Sequence, residues 1–295
     1  MKWEWNVHPG PVMERGNWTD VLNPSVGRDA EGYFNFYSAF DGKAWHTRRA
    51  NSADGLAWNV SDKLDIAPDP QTWEGDYIAA NGSALLDNRE YFYWYQASRV
   101  PRVGLWRGGA KLEGPVLETG PRGSWDERGV ADPYVIQIGG TFFMYFLGQD
   151  RARRQRLGVA QSTDGIHWRK LRANPVLELG EYGAFDETGL GEPAVWQSSS
   201  SYWMLYTGRD RKEYRRLGLA RSQDGVNWKR VSDRAVFAGS EAWDSKVVCD
   251  PSVLVEGDKI RVWFGGGDVA RPDENIHGQI GYAELKLTLA DNVNK

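Results

Sequence analysis

The sequence predicts an all-β fold, a five-bladed β-propeller with four antiparallel strands per blade, and three observations lead there. The stretch 125–168, WDERGVADPYVIQIGGTFFMYFLGQDRARRQRLGVAQSTDGIHW, returns at 185–228 as FDETGLGEPAVWQSSSSYWMLYTGRDRKEYRRLGLARSQDGVNW. Asp132 maps to Glu192, Gly158 to Gly218 and Trp168 to Trp228 at a separation of 60, a period that marks a solenoid, propeller or array. Within the unit, short alternating or aromatic runs are divided by Gly139-Gly140, a polar loop and Asp164-Gly165, which gives four strands. Linking segments such as RANPVLELGEYGAF are rich in Gly, Pro and polar residues, and no long helix is visible.

The remaining units follow in order. Trp18 leads into NPSVGRDAEGYFNFYSAF, and HTRRANSADGLAW closes the first unit on Asp54-Gly55 and Trp58. The second runs from Trp73 through NGSALLDNREYFYWYQ to RVGLWRG and lacks the DGxxW turn. The fifth begins at Trp243-Asp244 and carries CDPSVLVEGDKIRVWFGGG and QIGYAEL. The expectation is one domain over 1–295, with blades at roughly 18–60, 73–118, 125–172, 185–231 and 243–289 and a short N-terminal segment left over.

Composition bounds the function. A net charge of -4 and a pI near 5.7 argue against a nucleic-acid partner. The single cysteine, Cys249, forms no intrachain disulfide. No apolar run approaches the roughly 18 residues of a membrane span, and MKWEWNVHPGP lacks a secretory core. The chain therefore reads as cytoplasmic with no membrane partner, or as secreted or periplasmic where a leader has been removed.

Two recurring features read as packing. The aromatic-acid pairs at 73, 125, 185 and 243 recur too regularly to be catalytic, and in each DGxxW turn the Gly takes a positive φ while the Trp covers the neighbouring blade. A third feature differs in kind. Asn23, Asn81, Asp132, Glu192 and Asp250, spaced by 58, 51, 60 and 58, sit just before the innermost strand of each unit. Ring closure would bring three carboxylates and two amides around one end of the axis, where like charges raise one another's pKa. The competing reading is that each acid bonds to backbone in the adjacent blade, but the residue type changes from blade to blade, which favours a specialised site.

With ADP, GEP and CDPSV before inner strands and S-x-DG-x-x-W closing the outer part, nearly the whole chain resembles the five-bladed glycosidase propellers, most nearly glycoside hydrolase family 43 and its relatives. The resemblance implies a glycosidase, with Glu192 as general acid and Asp132 as its modulator, acting by inversion on an oligo- or polysaccharide. The family's base is an Asp in the first blade, where this chain has Asn23, an amide that cannot take a proton from water. Three readings stay open: Asp250 acts as base from the fifth blade, phosphate replaces water as in inverting phosphorylases, or the propeller binds glycan without cleaving it.

Loops joining second and third strands should share the pocket face, and they are rich in cations, GQDRARRQR and GRDRKEYRR above all. Guanidinium forks match carboxylate, sulfate or phosphate, which points to an anionic or acidic saccharide; the alternative is solvated hairpin tips paired with Asp150, Asp210 and Glu213. Asn23, Asn81, Arg151, Arg209 and His277 are the expected substrate contacts. No residue spacing indicates a structural metal or a cofactor, and the oligomeric state is left open.

Overall fold

A computed structural model describes residues 2–288, apart from Ser199 and Pro272 and the side chains of Asp62 and Lys63; the expected limits at residues 1, 289 and 295 lie outside the described residues. The described residues are all-β, with no helix, and hence no helix long and apolar enough to cross a membrane. Strands come in antiparallel groups. Strands β2 (Asp20–Asp29), β3 (Gly32–Phe40), β4 (Trp45–Ser52) and β5 (Asn59–Ile66) pair in sequence, as do β6 (Ala79–Asp87), β7 (Glu90–Ala97), β8 (Arg102–Arg107) and β9 (Ala110–Lys111). The repeated stretches give β10 (Gly129–Ile138), β11 (Thr141–Gln149), β12 (Gln155–Ser162) and β13 (Arg169–Lys170), then β14 (Gly189–Ser198), β15 (Ser201–Arg209), β16 (Arg215–Ser222) and β17 (Lys229–Arg230).

The last group holds β18 (Val247–Glu256), β19 (Lys259–Gly267) and β20 (Gln279–Thr288), and its outer strand is β1 (Lys2–Val7), paired with β20 from Lys2↔Thr288 to Val7↔Ala283. The N-terminal segment is therefore not left over, as the repeat alone suggested. Its alternation KWEWNV puts Trp3, Trp5 and Val7 against the core beside Phe237 and Leu285, and Trp5 stacks on Phe237 at 4.6 Å.

The turns act as docking points between groups. In Ser52-x-Asp54-Gly55, Ser162-x-Asp164-Gly165 and Ser222-x-Asp224-Gly225, the Ser hydroxyl accepts the Gly N–H and the Asp accepts two further N–H groups, while φ of the Gly is 74–78°. The Gly carbonyls are then free to take Trp263 Nε1–H (2.7 Å), Trp94 Nε1–H (2.8 Å) and Tyr145 Oη–H (2.9 Å) from the neighbouring group. The turn's own Trp meets the same aromatic: Trp58 on Trp263, Trp168 on Trp94, Trp228 on Tyr145. The Trp263–Gly55 contact joins the last group to the first.

The aromatic-acid pairs also pack as expected. Trp125 lies over Gly148 and Gly158, Phe185 over Gly208, and Trp243 over Gly266 and Gly281. The adjoining acids are buried but partnered: Lys111 holds Glu74 at 2.5 Å, Lys170 pairs with Asp126, Arg230 holds Asp186 at 2.8 Å, and two backbone N–H groups hold Asp244.

Candidate active site

Asn23, Asn81, Asp132, Glu192 and Asp250 share one backbone state. Each has φ between 48° and 51°, and each lies where the first strand of its group slips register: Leu22/Ser25, Ala80/Ser83, Ala131/Tyr134, Gly191/Ala194 and Cys249/Ser252. The residues are thus inside the strand at a β-bulge, not before it as the sequence suggested. A bulge leaves its residue outside the ladder and re-aims it, here toward the axis.

The re-aimed N–H groups find acceptors on the preceding group. Asn23 N–H donates to Asp250 (3.3 Å), Asp250 N–H to Glu192 (3.4 Å), and Glu192 N–H to Asp132. Asn81 N–H donates instead to Ser38 Oγ at 2.9 Å. Bonding to the adjacent group's backbone, the competing reading of these acids, is therefore present at all three carboxylates. It coexists with the shared cavity.

That cavity, of about 240 Å³, is lined by Asn23, Asn81, Asp132, Glu192 and Asp250 together with Arg209 and Arg215. Its wall adds Trp45, Tyr77, Gln96, Gln149, Gln155 and Thr207, and Asp273 and Glu274 reach in from the loop before β20. It opens at the end where the loops between second and third strands lie. Tyr134, partly buried, lies outside the lining, and its hydroxyl donates to the Val253 carbonyl at 3.4 Å.

Electrostatics divide the carboxyls. Burial, then the Glu192 charge, pushes Asp132 well above the usual carboxyl range against the pull of Arg209, and the Asn81 amide bonds to it. Asp250 is raised by the same two causes, with Asp132 adding to them. Both Asp250 oxygens are engaged: the Asn23 amide donates to Oδ1 at 2.5 Å, and Cys249 Sγ–H donates to Oδ2 at 3.0 Å. Glu192, Cys249 and Asp250 each present a donor atom within 4.8 Å of the others, a set that could hold a cation. Arg215 already brings charge there: burial opposes its ionisation, and Cys249, Asp273, Glu192 and Asp250 outweigh burial.

Of the expected contacts, Arg209 lines the cavity and pairs with Glu213 (3.3 Å) and Asp273 (3.2 Å). Arg151 does not line it; its side chain is 65% exposed and pairs with Glu127 at 3.2 Å. His277 also lies outside the lining and pairs with Asp268 at 2.7 Å. Several loop cations are paired hairpin residues, as the alternative held: Arg154 and Arg156 with Asp150, Arg271 with Glu213. Arg215, which sequence reasoning did not single out, is the buried cation of the cavity, and its signal was available as the substitution of Gln155 by Arg215 across the 60-residue repeat.

The arrangement is an all-β fold whose bulged first strands bring three carboxylates together on one cavity. Residues 28–242 match the family described as glycosyl hydrolases family 32 N-terminal domain, and the chain belongs to that family. An uncharacterized protein of Mycobacterium tuberculosis is 30% identical over 161 residues, covering 51% of this chain and 52% of the relative, so the match spans about half the length of that protein. A 1,2-beta-oligomannan phosphorylase of Thermoanaerobacter sp. is 29% identical over 126 residues, 39% of this chain and 41% of the relative. Among solved structures, the beta-1,2-mannobiose phosphorylase of Listeria innocua superposes with a TM-score of 0.76 at 11% identity, covering 96% of this chain and 97% of that one. A thermostable family-43 glycoside hydrolase superposes with a TM-score of 0.68 at 14% identity, covering 92% and 91%. The matched family is family 32, among the relatives of the family 43 that the sequence most nearly resembled, and the all-β fold agrees with that resemblance.

Proposed function

We propose that the chain is a single five-bladed propeller domain, each four-stranded group one blade, that cleaves a glycosidic bond at the end of a saccharide held in the axial cavity. Cleavage proceeds with inversion and transfers the sugar to phosphate. The observation that carries this choice is the Asn23–Asp250 contact: the base position is an amide, and the nearest substitute carboxyl is buried, raised in pKa and already accepting three hydrogen bonds. Phosphate needs no base. One of its oxygens forms the new bond to the anomeric carbon, the glycosidic oxygen leaves with a proton from the enzyme, and Arg209 and Arg215 balance the entering charge.

The proton comes from the Asp132–Glu192 pair. The resemblance implies Glu192 as acid and Asp132 as modulator; within this coupled pair burial and the Glu192 charge favour the protonated form of Asp132, so Asp132 is the first of the two to test as donor. The phosphorylase relatives support transfer to phosphate, and β-1,2-mannosides are the first substrates to try. The purified protein, incubated with β-1,2-mannobiose and other disaccharides, should release a sugar 1-phosphate only when phosphate is present. Release of two free sugars at the same rate without phosphate would instead establish hydrolysis, with Asp250 as the candidate base.

A further inference from the structure

The axial cavity continues sideways along one sector of its rim. Pro101 and Gln149 line both it and a shallow pocket of about 300 Å³ that also takes in Arg99, Arg128, Arg151 and Arg153. Glu127 and Arg151 in turn are shared with a further groove reaching Arg122. Among the described residues, no carboxylate pairs with Arg122, Arg128 or Arg153, all exposed, while Arg99 pairs with Asp76 between two side chains that are each mostly exposed, and Arg151 is held by Glu127.

The internal repeat supplies a control for whether this is ordinary hairpin polarity. Arg122, Arg128 and Arg153 correspond, at a separation of 60, to Tyr182, Thr188 and Glu213. Facing the cavity the exchange runs the other way: Gln149 and Gln155 stand where the later copy has Arg209 and Arg215. Two copies of one module have thus placed cationic charge at different radii, one beside the reaction centre and one along the path that leads from it. Solvation of a hairpin tip does not require that division.

We propose that this rim is a binding site for oxyanion groups, carboxylate or sulfate, on the portion of the saccharide that extends beyond the axial cavity, so that the substrate is an acidic glycan. This rests on the reading of the cavity as a saccharide site. Single exposed guanidiniums contribute little; several along one path act together, and their effect weakens as salt rises.

Calorimetric titration of the full chain at low salt with trigalacturonate, a heparin-derived tetrasaccharide and neutral cellotriose tests it. At least one acidic probe should bind tenfold or more tighter than the neutral one. The combined Arg122→Ala, Arg128→Ala and Arg153→Ala variant should lose tenfold or more of that affinity, while Arg211→Ala, on the corresponding loop of the later copy, stays within twofold. Failure of both acidic probes to outbind cellotriose, an unchanged affinity in the triple variant, or full displacement by an equal concentration of inorganic sulfate would each overturn the proposal. Calorimetry needs no turnover, so an inactive protein that still binds at the rim defeats the cleavage reading and leaves this one standing.

Discussion

Asn23 and Asp250 are joined twice, by side-chain amide to Oδ1 at 2.5 Å and by backbone N–H to Oδ2 at 3.3 Å, so a single buried carboxyl ties the first strand group to the last. An acid at position 23 would place two carboxyls at hydrogen-bond distance with both charges penalised by burial. Asn23→Asp is expected to cost about 3 kcal/mol at pH 8 and less at pH 5, where the pair holds a proton between them. Urea melts at the two pH values check this, and an unchanged midpoint at pH 8 refutes it.

Asp132 and Asp250 both have folded pKa values raised above their unfolded ones, so above about pH 4 the folded chain holds protons that the unfolded chain has released. The sign follows: stability should fall as pH climbs from 5 toward 8. Asp150, Asp164 and Asp224 are shifted down and act in the other direction, but only as pH falls below about 4. A urea midpoint that rises or stays level between pH 5 and 8 would show that these carboxyls do not hold their protons in the folded chain.

If Asp132 delivers the pair's proton, the two acids are distinguishable. Asp132→Asn should lower turnover of a natural disaccharide about 10²–10⁴-fold and recover most of it on an aryl glycoside whose leaving group needs no proton. Glu192→Gln should be impaired on both. Recovery in the Glu192 variant instead would restore the roles implied by the family resemblance.

Gly148 tests the packing of the aromatic-acid pairs. A Cβ there would come within 2.2 Å of the Trp125 ring, which is wedged between two strands. Gly148→Ala should destabilise by about 1–3 kcal/mol, visible as a lowered melting temperature, and Trp125→Phe in the same chain should relieve part of it. Full stability in Gly148→Ala would show that the indole is free to move.

The repeat made the groups, their turns and the axial positions legible, because a glycine turn and an acid before proline are local chemistry that survives at a fixed offset. The role of Lys2–Val7 was hidden: six alternating residues name no partner, and β20 lies at the far end of the chain. The bulges were hidden as well, since nothing in Asn23-Pro24 or Asp132-Pro133 says that the residue before proline takes a left-handed backbone inside a strand. Loop arginines could be counted but not aimed. Whether Arg151 or Arg215 faces inward depends on which carboxylate each meets, Glu127 for one and Asp273 for the other.

Because β1 completes the sheet begun by β18, β19 and β20, a strand made before all the others described pairs only after β20 has been made. Until β1 docks, β20 keeps a bare outer edge. The order of synthesis and the order of pairing are opposed there, so a pause before β20 is made leaves β1 without its partner strand. A tag or fusion placed directly before Lys2 would act on the β1–β20 pairing.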